Sequence, residues 1–338
     1  MSDVMKAVRL HEFGGPEVLQ YEEAPMPEPK TGEVLVRVHA VGLNPPDWYL
    51  RDGGRALPPE WQPHPVFPLI LGSDISGVVE KIGEGVTEFA VGDDVYAMVR
   101  FPADVMEGGK AYAEYVSVPV SELAFKPAGT DHLHAAAAPM SLLTAWQFLI
   151  ELGHSEPNPF QSLAHAPVPL AGKTVLINGA GGGVGRLAVQ LAKWKGAHVI
   201  AVASGKNEAL MRELGVNQFI DYTKTAADQI VHDVDLVLDT VGGKEAARFL
   251  RMLKPGGALF LVFPLGFDAQ DEADRLGITV STTQVRSSGA QLAQAAQLFD
   301  DGTVRIVIDS TFPLAEAGLA HERAAKGGIQ GKIVLAVK

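Results

Sequence analysis

The order of apolar and polar residues predicts two kinds of structure along the chain. Over roughly the first 130 residues the pattern is β-like. Between Glu33 and Val41, four small or branched apolar residues alternate with a more polar set, and this period of two predicts a strand with one more apolar face. Shorter β-rich runs follow at 77–82, 94–99 and 115–118, with glycine-containing turns between them. An irregular β domain is therefore expected.

The pattern changes after about residue 135. Short, continuous apolar runs occupy 173–178, 197–203, 235–239 and 258–263, as in strands that are buried on both faces of a parallel sheet. Apolar residues at helical spacing lie between them, over 184–194 and 245–253. Strands that alternate with helices through right-handed crossovers form a doubly wound parallel sheet, so the predicted fold class is α/β.

The C-terminal segment returns to the earlier pattern. The sequence predicts a helix over 290–299, a strand over 305–310, a helix over 314–325 and a strand over 332–337. In the last strand Ile333, Leu335 and Val337 alternate with other residues, as in the first domain. We expect this strand to return to that domain.

Composition narrows the function classes. The chain of 338 residues has 28 Lys and Arg against 40 Asp and Glu, a formal charge of −12, which repels nucleic acid and anionic lipid. It contains 0 Cys, which excludes disulfides, a thiolate nucleophile and sulfur-bound zinc, and fits a reducing cytoplasm. No apolar window approaches the roughly 18 residues of a spanning helix. A soluble cytoplasmic protein that binds a small molecule is expected.

A glycine-rich turn is the strongest functional motif. Residues 178–185 read Asn-Gly-Ala-Gly-Gly-Gly-Val-Gly, directly after a predicted buried strand and before an amphipathic helix. In that context the glycines let the backbone approach a diphosphate, and the helix N-terminus complements its charge. A purely structural turn is the alternative. The predicted cofactor-binding residues here are Ala180, Gly181, Gly182, Gly183, Val184 and Gly185.

The end of the second strand indicates which nicotinamide cofactor binds. An NAD site has an Asp or Glu there, about 20 residues after the turn, to accept the ribose 2′-hydroxyl. This chain has Ala203, followed by Ser204, Gly205 and Lys206. With no carboxylate to repel a 2′-phosphate, and with a hydroxyl and an ammonium to bind it, Ser204 and Lys206 favour NADP(H). A solvated Lys206 beside a turn is the alternative.

Several motifs together resemble one enzyme family. They are the segments 14–19 (GGPEVL), 41–47 (VGLNPPD), 71–74 (LGSD), 143–146 (LTAW), the glycine turn, 239–243 (DTVGG) and 331–334 (GKIV). Their order and spacing resemble the medium-chain dehydrogenase/reductase superfamily, in its zinc-independent quinone oxidoreductase branch. The resemblance implies a GroES-like β domain over 1–138 and 287–338 and an inserted Rossmann domain over 139–286. It further implies a cleft between them, NADPH as the hydride donor, and a homodimer.

The zinc ligands of the metal-dependent members do not recur here. Those enzymes use a Cys after the early Val-Gly strand and a His in a Gly-His-Glu element, whereas this chain has no Cys and reads Gly72-Ser73-Asp74. Without a Lewis acid, a conjugated enone or a quinone is the expected hydride acceptor, because its oxygen takes up the charge. Another metal held by Asp74 and histidines is an alternative.

The resemblance also implies roles for single residues. Asn44 and Tyr49 would lie beside the nicotinamide as the catalytic residues. Tyr49 is the candidate donor that would stabilise or protonate the oxygen gaining charge. Tyr49 packing on Trp48 and Asp47 capping a short helix are the structural alternatives. The remaining cofactor-binding assignments are Thr144 at the phosphate or nicotinamide end, Tyr222 at the adenosine end, Thr240 at the ribose and Lys332 near the cofactor. Residues 263–267 (FPLGF) are bulkier than the family's usual small residues, which makes the expected pocket apolar.

The leading prediction is thus an NADPH-dependent, metal-free reductase of a quinone or an α,β-unsaturated carbonyl compound. Its expected partner is a small electrophile, with neither nucleic acid nor membrane involved. Two other functions stay open. One is a metal-assisted alcohol or carbonyl dehydrogenase, and the other is a non-catalytic NADPH-binding sensor.

Overall fold

The computed structural model describes residues 4–55, 57–59, 62–102, 109–155 and 164–337. The chain divides into two compact units. The first comprises Met1–Leu143 with Arg286–Lys338, and the second comprises Thr144–Val285. Within the described ranges, no helix combines the length and the apolar character that crossing a membrane requires.

The strands and helices are as follows in chain order. The strands are β1 (Val4–Leu10), β2 (Leu19–Pro25), β3 (Glu33–Gly42), β4 (Leu69–Ile70), β5 (Asp74–Ile82), β6 (Asp94–Met98), β7 (Tyr115–Pro119), β8 (Leu123–Phe125), β9 (Thr174–Asn178), β10 (His198–Ala203), β11 (Gln218–Asp221), β12 (Val234–Asp239), β13 (Leu253–Leu261), β14 (Thr279–Ser281), β15 (Ile308–Pro313) and β16 (Lys332–Ala336). The α-helices are α1 (Pro45–Arg51), α2 (His132–Ala136), α3 (Pro139–Leu149), α4 (Gly183–Trp194), α5 (Glu208–Glu213), α6 (Gln270–Leu276), α7 (Gly289–Asp300) and α8 (Ala317–Ala325).

The first unit is built on two sheets. The larger has the strand order β15-β16-β3-β5-β6-β8, with β7 also paired to β3, and the smaller has the order β2-β1-β4. Strands β15 and β16 run parallel, whereas β3 is antiparallel to its neighbours β5, β7 and β16. The strand predicted over 332–337 is β16, and Val334 in it lies opposite Gly42 of β3. The C-terminal strand therefore does return to the sheet of the first domain.

Strand β3 lies at the centre of this sheet, and its burial explains the alternating pattern. Val34, Val36 and Val38 are at most 1% exposed and belong to the main core of the unit. Leu35, on the other face, is only 3% exposed. Arg37 and His39, on the same face as Leu35, are partly exposed, so one face of β3 is more buried than the other, as the alternation predicts.

The second unit contains the predicted parallel sheet. Its order is β11-β10-β9-β12-β13-β14, and every neighbouring pair is parallel. The order reverses between β9 and β12, so the sheet is doubly wound, as in a Rossmann domain. The apolar runs predicted as strands are its buried centre; Val175, Leu176 and Ile177 of β9 are fully buried. The predicted α/β fold class is confirmed.

Two elements of this unit differ from the prediction. The helix predicted over 245–253 is a 3₁₀ helix, Lys244–Met252. The strand predicted to begin at residue 258 begins at Leu253, because Leu253 already pairs with Val234 before a register shift. The intervening Pro255-Gly256-Gly257 reads as a turn in sequence, but the strand accommodates it as an irregularity.

Candidate functional site

The glycine turn of the second unit joins β9 to α4. Strand β9 ends at Asn178, and α4 begins at Gly183 with Gly182 as its N-cap residue. The first turn of a helix presents unpaired backbone N–H groups and the positive end of the helix dipole, and this one has no acidic residue. The structure therefore brings the six predicted loop residues together at the N-terminus of α4: Ala180, Gly181, Gly182, Gly183, Val184 and Gly185.

The space around these glycines differs from one to the next. A Cβ on Gly185 would lie 2.2 Å from the carbonyl oxygen of Gly179, so only glycine lets α4 pack onto the turn. On Gly182 the nearest atom would be the same oxygen at 3.4 Å, an ordinary contact distance. Gly182 is thus not needed for packing, and its backbone borders open space. This backbone cradle fits the diphosphate of a dinucleotide.

Residues at the end of β12 form hydrogen bonds with Asn178, at the start of the glycine turn. The hydroxyl of Thr240 donates to the carbonyl of Asn178 at 2.8 Å, and the amide of Asn178 donates to Asp239 Oδ1 at 2.8 Å. Gly179 has φ of +76°, and a Cβ there would lie 2.3 Å from Thr240 Oγ1. Thr240 therefore lies directly beside the predicted cofactor turn. The sequence prediction missed Asp239, although an aspartate at the end of a buried strand is a recognisable feature.

The loop after β10 contains the other predicted phosphate ligands. Ser204 follows the strand, and a 3₁₀ helix spans Gly205–Asn207. Asn207 Nδ2 donates to Ser204 Oγ at 3.0 Å, whereas Lys206 is exposed. Both predicted residues lie at the edge of the sheet where β9 ends, because parallel strands end at the same edge. Their contact with a 2′-phosphate stays a prediction.

A carboxylate does lie beside this loop, and it comes from the neighbouring strand. Asp221, the last residue of β11, pairs with Ala203, and its Oδ2 would be 2.5 Å from a Cβ on Gly205. The hydrogen bond from the Thr223 side chain lowers the pKa of Asp221, and Lys224 Nζ lies 3.5 Å from Oδ2. The premise that no carboxylate is present here was wrong, because it considered β10 alone and not the adjacent strand.

Two further cofactor assignments stay predictions. Tyr222 directly follows β11 at the same sheet edge and is 59% exposed. Thr144 is buried in α3 with 5% of its surface exposed. Tyr222 is therefore accessible to a ligand, whereas Thr144 is much less accessible.

Asn44 is the centre of a buried polar cluster in the first unit. It precedes α1, and its Nδ2 donates to Asp74 Oδ2 at 2.9 Å and to the Gly42 carbonyl at 3.3 Å. Its Oδ1 accepts from the ammonium of Lys332. Both amide hydrogens of Asn44 have acceptors within the protein and its amide oxygen accepts from Lys332, so the orientation of the amide is fixed.

Lys332 and Asp74 form a buried ion pair behind Asn44. Lys332 Nζ lies 3.9 Å from Asp74 Oδ2, and both residues are buried. The carboxylate also accepts from the backbone N–H of Met140 at 2.9 Å. Burial raises the pKa of Asp74 to about 6, against the opposing effect of the ammonium, and burial lowers the pKa of Lys332. Asp74 is therefore mostly ionised at pH 7 and paired with the lysine.

These residues do not fit a catalytic zinc ion. Asn44 uses its amide oxygen for Lys332, and Asp74 is hydrogen-bonded through both oxygens. The Lys332 ammonium would also repel a second cation in the same place. Across the described residues, no group of three or more His, Cys, Asp or Glu side chains is placed to hold a metal ion.

A chain of buried side chains continues from Asn44 away from Lys332. Asp47 Oδ2 accepts from the backbone N–H of Asn44 at 2.8 Å and from the Tyr112 hydroxyl at 3.2 Å. Tyr112 Oη also contacts His321 Nε2 at 3.0 Å, and His321 Nδ1 lies 2.9 Å from Arg51 Nη1. Burial raises the pKa of Asp47 to about 7 and lowers that of His321 to about 3.

The direction of these hydrogen bonds follows from Arg51. A guanidinium can only donate, so His321 Nδ1 accepts and the neutral ring carries its proton on Nε2. Nε2 then donates to Tyr112, whose own hydrogen is directed at Asp47. The sequence prediction missed Tyr112, His321 and Arg51, since residues so far apart in the chain give no local pattern. It did anticipate that Asp47 could cap α1, and Asp47 does accept from Asn44 N.

Tyr49 lies in α1, five residues after Asn44. It is partly buried, and its ring meets that of Trp48 edge to face at a centroid distance of 6.2 Å. Burial, together with the charge of Asp52, raises the pKa of Tyr49. The hydroxyl is therefore protonated at neutral pH, as a proton donor needs to be. The predicted packing on Trp48 is also present, so the geometry is compatible with both roles.

Comparison with known proteins identifies the family. Residues 30–128 match the alcohol dehydrogenase GroES-like domain, and residues 214–335 match the zinc-binding dehydrogenase family. The mitochondrial NAD(P)H oxidoreductase RTN4IP1 of Mus musculus is 34% identical, over 99% of this chain and 90% of its own length. The quinone oxidoreductase of Rattus norvegicus is 30% identical, over 98% of each chain.

Solved structures agree with these matches. The quinone oxidoreductase from Coxiella burnetii has a TM-score of 0.84 and 32% identity, covering 99% of this chain and 100% of its own. A cobalt- and zinc-bound alcohol dehydrogenase from Pyrobaculum aerophilum has a TM-score of 0.79 at 26% identity, with 99% and 100% coverage. The chain therefore belongs to the medium-chain dehydrogenase/reductase superfamily, as a quinone oxidoreductase-like member.

Proposed function

We propose that this protein is an NADPH-dependent oxidoreductase that reduces quinones or α,β-unsaturated carbonyl compounds without a metal ion. The observation that carries the proposal is the glycine turn, which ends a buried parallel strand and opens α4 with a backbone cradle at Gly182. The relatives named as NAD(P)H and quinone oxidoreductases support the same reaction class.

The preference for NADPH is supported by the charges around the loop after β10. Lys206 and Lys224 are cations in this region, and Asp221 is the carboxylate beside Gly205. Since Lys224 lies 3.5 Å from Asp221, it offsets much of the repulsion that the carboxylate would exert on a 2′-phosphate. Lys206 and the Ser204 hydroxyl would be the ligands for that phosphate.

The metal-free part of the proposal is supported by the polar cluster of the first unit. The ammonium of Lys332 already places a positive charge against Asn44 and Asp74, and those side chains are engaged with it. A quinone or an enone suits such a site, because its conjugation moves the charge of reduction onto an oxygen. An unactivated alcohol would need the Lewis acid that this donor set does not fit.

When bound, the reduced nicotinamide would supply the hydride. The residues of the chain would bind and orient the ligands and would protonate the reduced acceptor. The contacts of Asn44 with Lys332 and Asp74 fix the orientation of its amide, which would border the ligand. Tyr49, with its raised pKa, would donate a proton to the oxygen that gains charge.

The test is oxidation of NADPH by the purified protein with a panel of quinones and enones. Turnover with at least one acceptor class, and a lower Kd for NADPH than for NADH, is expected. Tight NADPH binding with no turnover across both acceptor classes would reject the enzyme and favour a sensor. The homodimer and the cytoplasmic location stay predictions, to be checked by sedimentation and by cell fractionation.

A further inference from the structure

A buried arginine links the two loops that would hold the cofactor. Arg186 lies in α4 and is only 4% exposed. Its Nε donates to the carbonyl of Gly181 in the glycine turn at 2.9 Å, and its Nη2 donates to Asn207 Oδ1, after β10, at 2.9 Å. A Cβ on Gly181 would lie 2.7 Å from Asn207 Nδ2, so the two loops also touch at this point.

The arginine fixes the direction of the next hydrogen bonds. A guanidinium only donates, so the oxygen of the Asn207 amide faces Arg186 and its nitrogen faces Ser204. Asn207 Nδ2 donates to Ser204 Oγ at 3.0 Å and, more weakly, to the Ser204 carbonyl at 3.3 Å. Because Ser204 Oγ accepts from Asn207, the hydrogen of that hydroxyl is left to point at another acceptor.

The charges near Ser204 favour an anion as that acceptor. Arg186, Lys206 and Lys224 are cations, and Asp221 is a carboxylate at the same edge. On the adjoining helix α5, Glu208 and Arg212 pair with one another at 2.7 Å and contribute little net charge. Three cations against one anion leave this region positive, which suits a phosphate monoester.

We propose that Arg186 and Asn207 are positioning residues that hold the Ser204 hydroxyl as a hydrogen-bond donor to the 2′-phosphate of NADPH. They act through Ser204, and Arg186 adds a buried positive charge behind it. The inference rests on the proposed function, since it requires that the glycine turn binds a dinucleotide. It adds two specificity-determining residues that the sequence patterns did not indicate.

The experiment measures Kd for NADPH and for NADH by nicotinamide fluorescence, on the full chain. The variants are Arg186→Gln, Ser204→Ala and the double variant. Each single change should weaken NADPH binding roughly tenfold, the size of a hydrogen bond to a charged group, and NADH binding less than about twofold. Because Arg186 acts largely through Ser204, the double variant should lose clearly less than the product of the two single effects.

Arg212→Gln is the matched control. It removes the same charge from the surface of α5 and leaves the hydrogen bonds of Arg186 intact, so the ratio of the two Kd values should hold within about twofold. Asn207→Asp is the second test if Arg186→Gln fails to fold. This isosteric change keeps an acceptor for Arg186 but makes the Ser204 hydroxyl donate inward, so NADPH binding should again weaken selectively.

The outcomes separate this inference from the proposed function. A wild-type protein that binds neither dinucleotide overturns the proposed function. If the wild type prefers NADPH but the variants lose affinity for NADPH and NADH equally, the role of Arg186 and Asn207 is overturned and the proposed function stands. The same holds if the fold-changes of the two single variants multiply in the double variant.

Discussion

The ammonium of Lys332 lies against Asn44 and Asp74, and this positive charge stabilises the buried carboxylate of Asp74. Removing it leaves the carboxylate of Asp74 buried without its cation. Lys332→Met should lower the free energy of unfolding by about 3 kcal/mol near neutral pH, the usual cost of breaking a buried pair. Urea unfolding with circular dichroism measures it.

The pH dependence of this loss has a definite sign. Burial raises the pKa of Asp74 from 3.8 to about 6, so the folded state binds its proton more tightly than the unfolded state. The stability contribution of Asp74 therefore falls as pH rises from about 4 to about 6. Without the ammonium the pKa of Asp74 rises further, and the loss in Lys332→Met should be larger at about pH 8 than at about pH 5.

The control variant removes the unpaired charge as well. Asp74→Asn combined with Lys332→Met should recover most of the lost stability and its pH dependence, because no buried carboxylate remains to ionise. A loss that is equal at both pH values, and that persists in the double variant, would mean that Lys332 contributes packing rather than charge.

Removing the hydroxyl of Tyr49 tests its proposed role as a proton donor. Tyr49→Phe keeps the ring against Trp48 and removes the proton donor, so kcat should fall roughly 10²-fold while the Kd for NADPH is unchanged. Steady-state kinetics and a fluorescence titration measure the two quantities. An unchanged kcat would leave packing on Trp48 as the role of Tyr49.

At the residue scale, sequence patterns identified what is local. Asn44, Lys332 and the turn residues stand in short motifs, so they could be named. Tyr112 and His321 could not, because they are 209 positions apart and meet only when the first unit folds. Asp221 was overlooked for the same reason, since it reaches the loop after β10 from an adjacent strand.

At the element scale, the turn between β9 and α4 matters both for packing and for the proposed dinucleotide binding. Two of its glycines, Gly185 and Gly182, have different roles. Gly185→Ala should destabilise the protein by about 2 kcal/mol or more, because the methyl group would overlap the Gly179 carbonyl oxygen at 2.2 Å. Gly182→Ala should leave the Tm nearly unchanged, since its nearest contact is 3.4 Å and its φ is −84°.

Gly182→Ala, which should hardly affect stability, should instead weaken dinucleotide binding. In Gly182→Ala the methyl group would stand where the backbone approaches the diphosphate, so NADPH binding should weaken at least tenfold in a stably folded protein. Thermal unfolding and fluorescence titration on the same samples measure both effects. Unaltered NADPH affinity in Gly182→Ala would place the diphosphate elsewhere.

Hydrophobic periodicity predicted elements well where burial is uniform. Strands β9, β10 and β12 contain continuous apolar runs, because helices cover both faces of a parallel sheet. The pattern was less reliable at 244–261, where a 3₁₀ helix has helical spacing of apolar residues and β13 includes a Pro-Gly-Gly segment. For β13, pairing with β12 on both sides of a register shift, rather than local preference, sets the observed geometry.

At the scale of the whole molecule, each unit contains one part of the proposed function. The second unit contains the glycine turn, the proposed dinucleotide site, and the first contains the cluster around Asn44, Asp74 and Lys332. The family was recognisable from motifs spread over the whole chain. Its metal-dependent and metal-independent members share the fold, so that choice depends on the few side chains around Asn44.

The most direct test of that choice measures turnover and metal content on one sample. The protein is treated with a strong chelator and desalted, its zinc is quantified by elemental analysis, and NADPH oxidation is followed with a quinone or enone acceptor. The account predicts unchanged turnover with far less than one metal ion per chain. Turnover that disappears on chelation and returns with added zinc would contradict it.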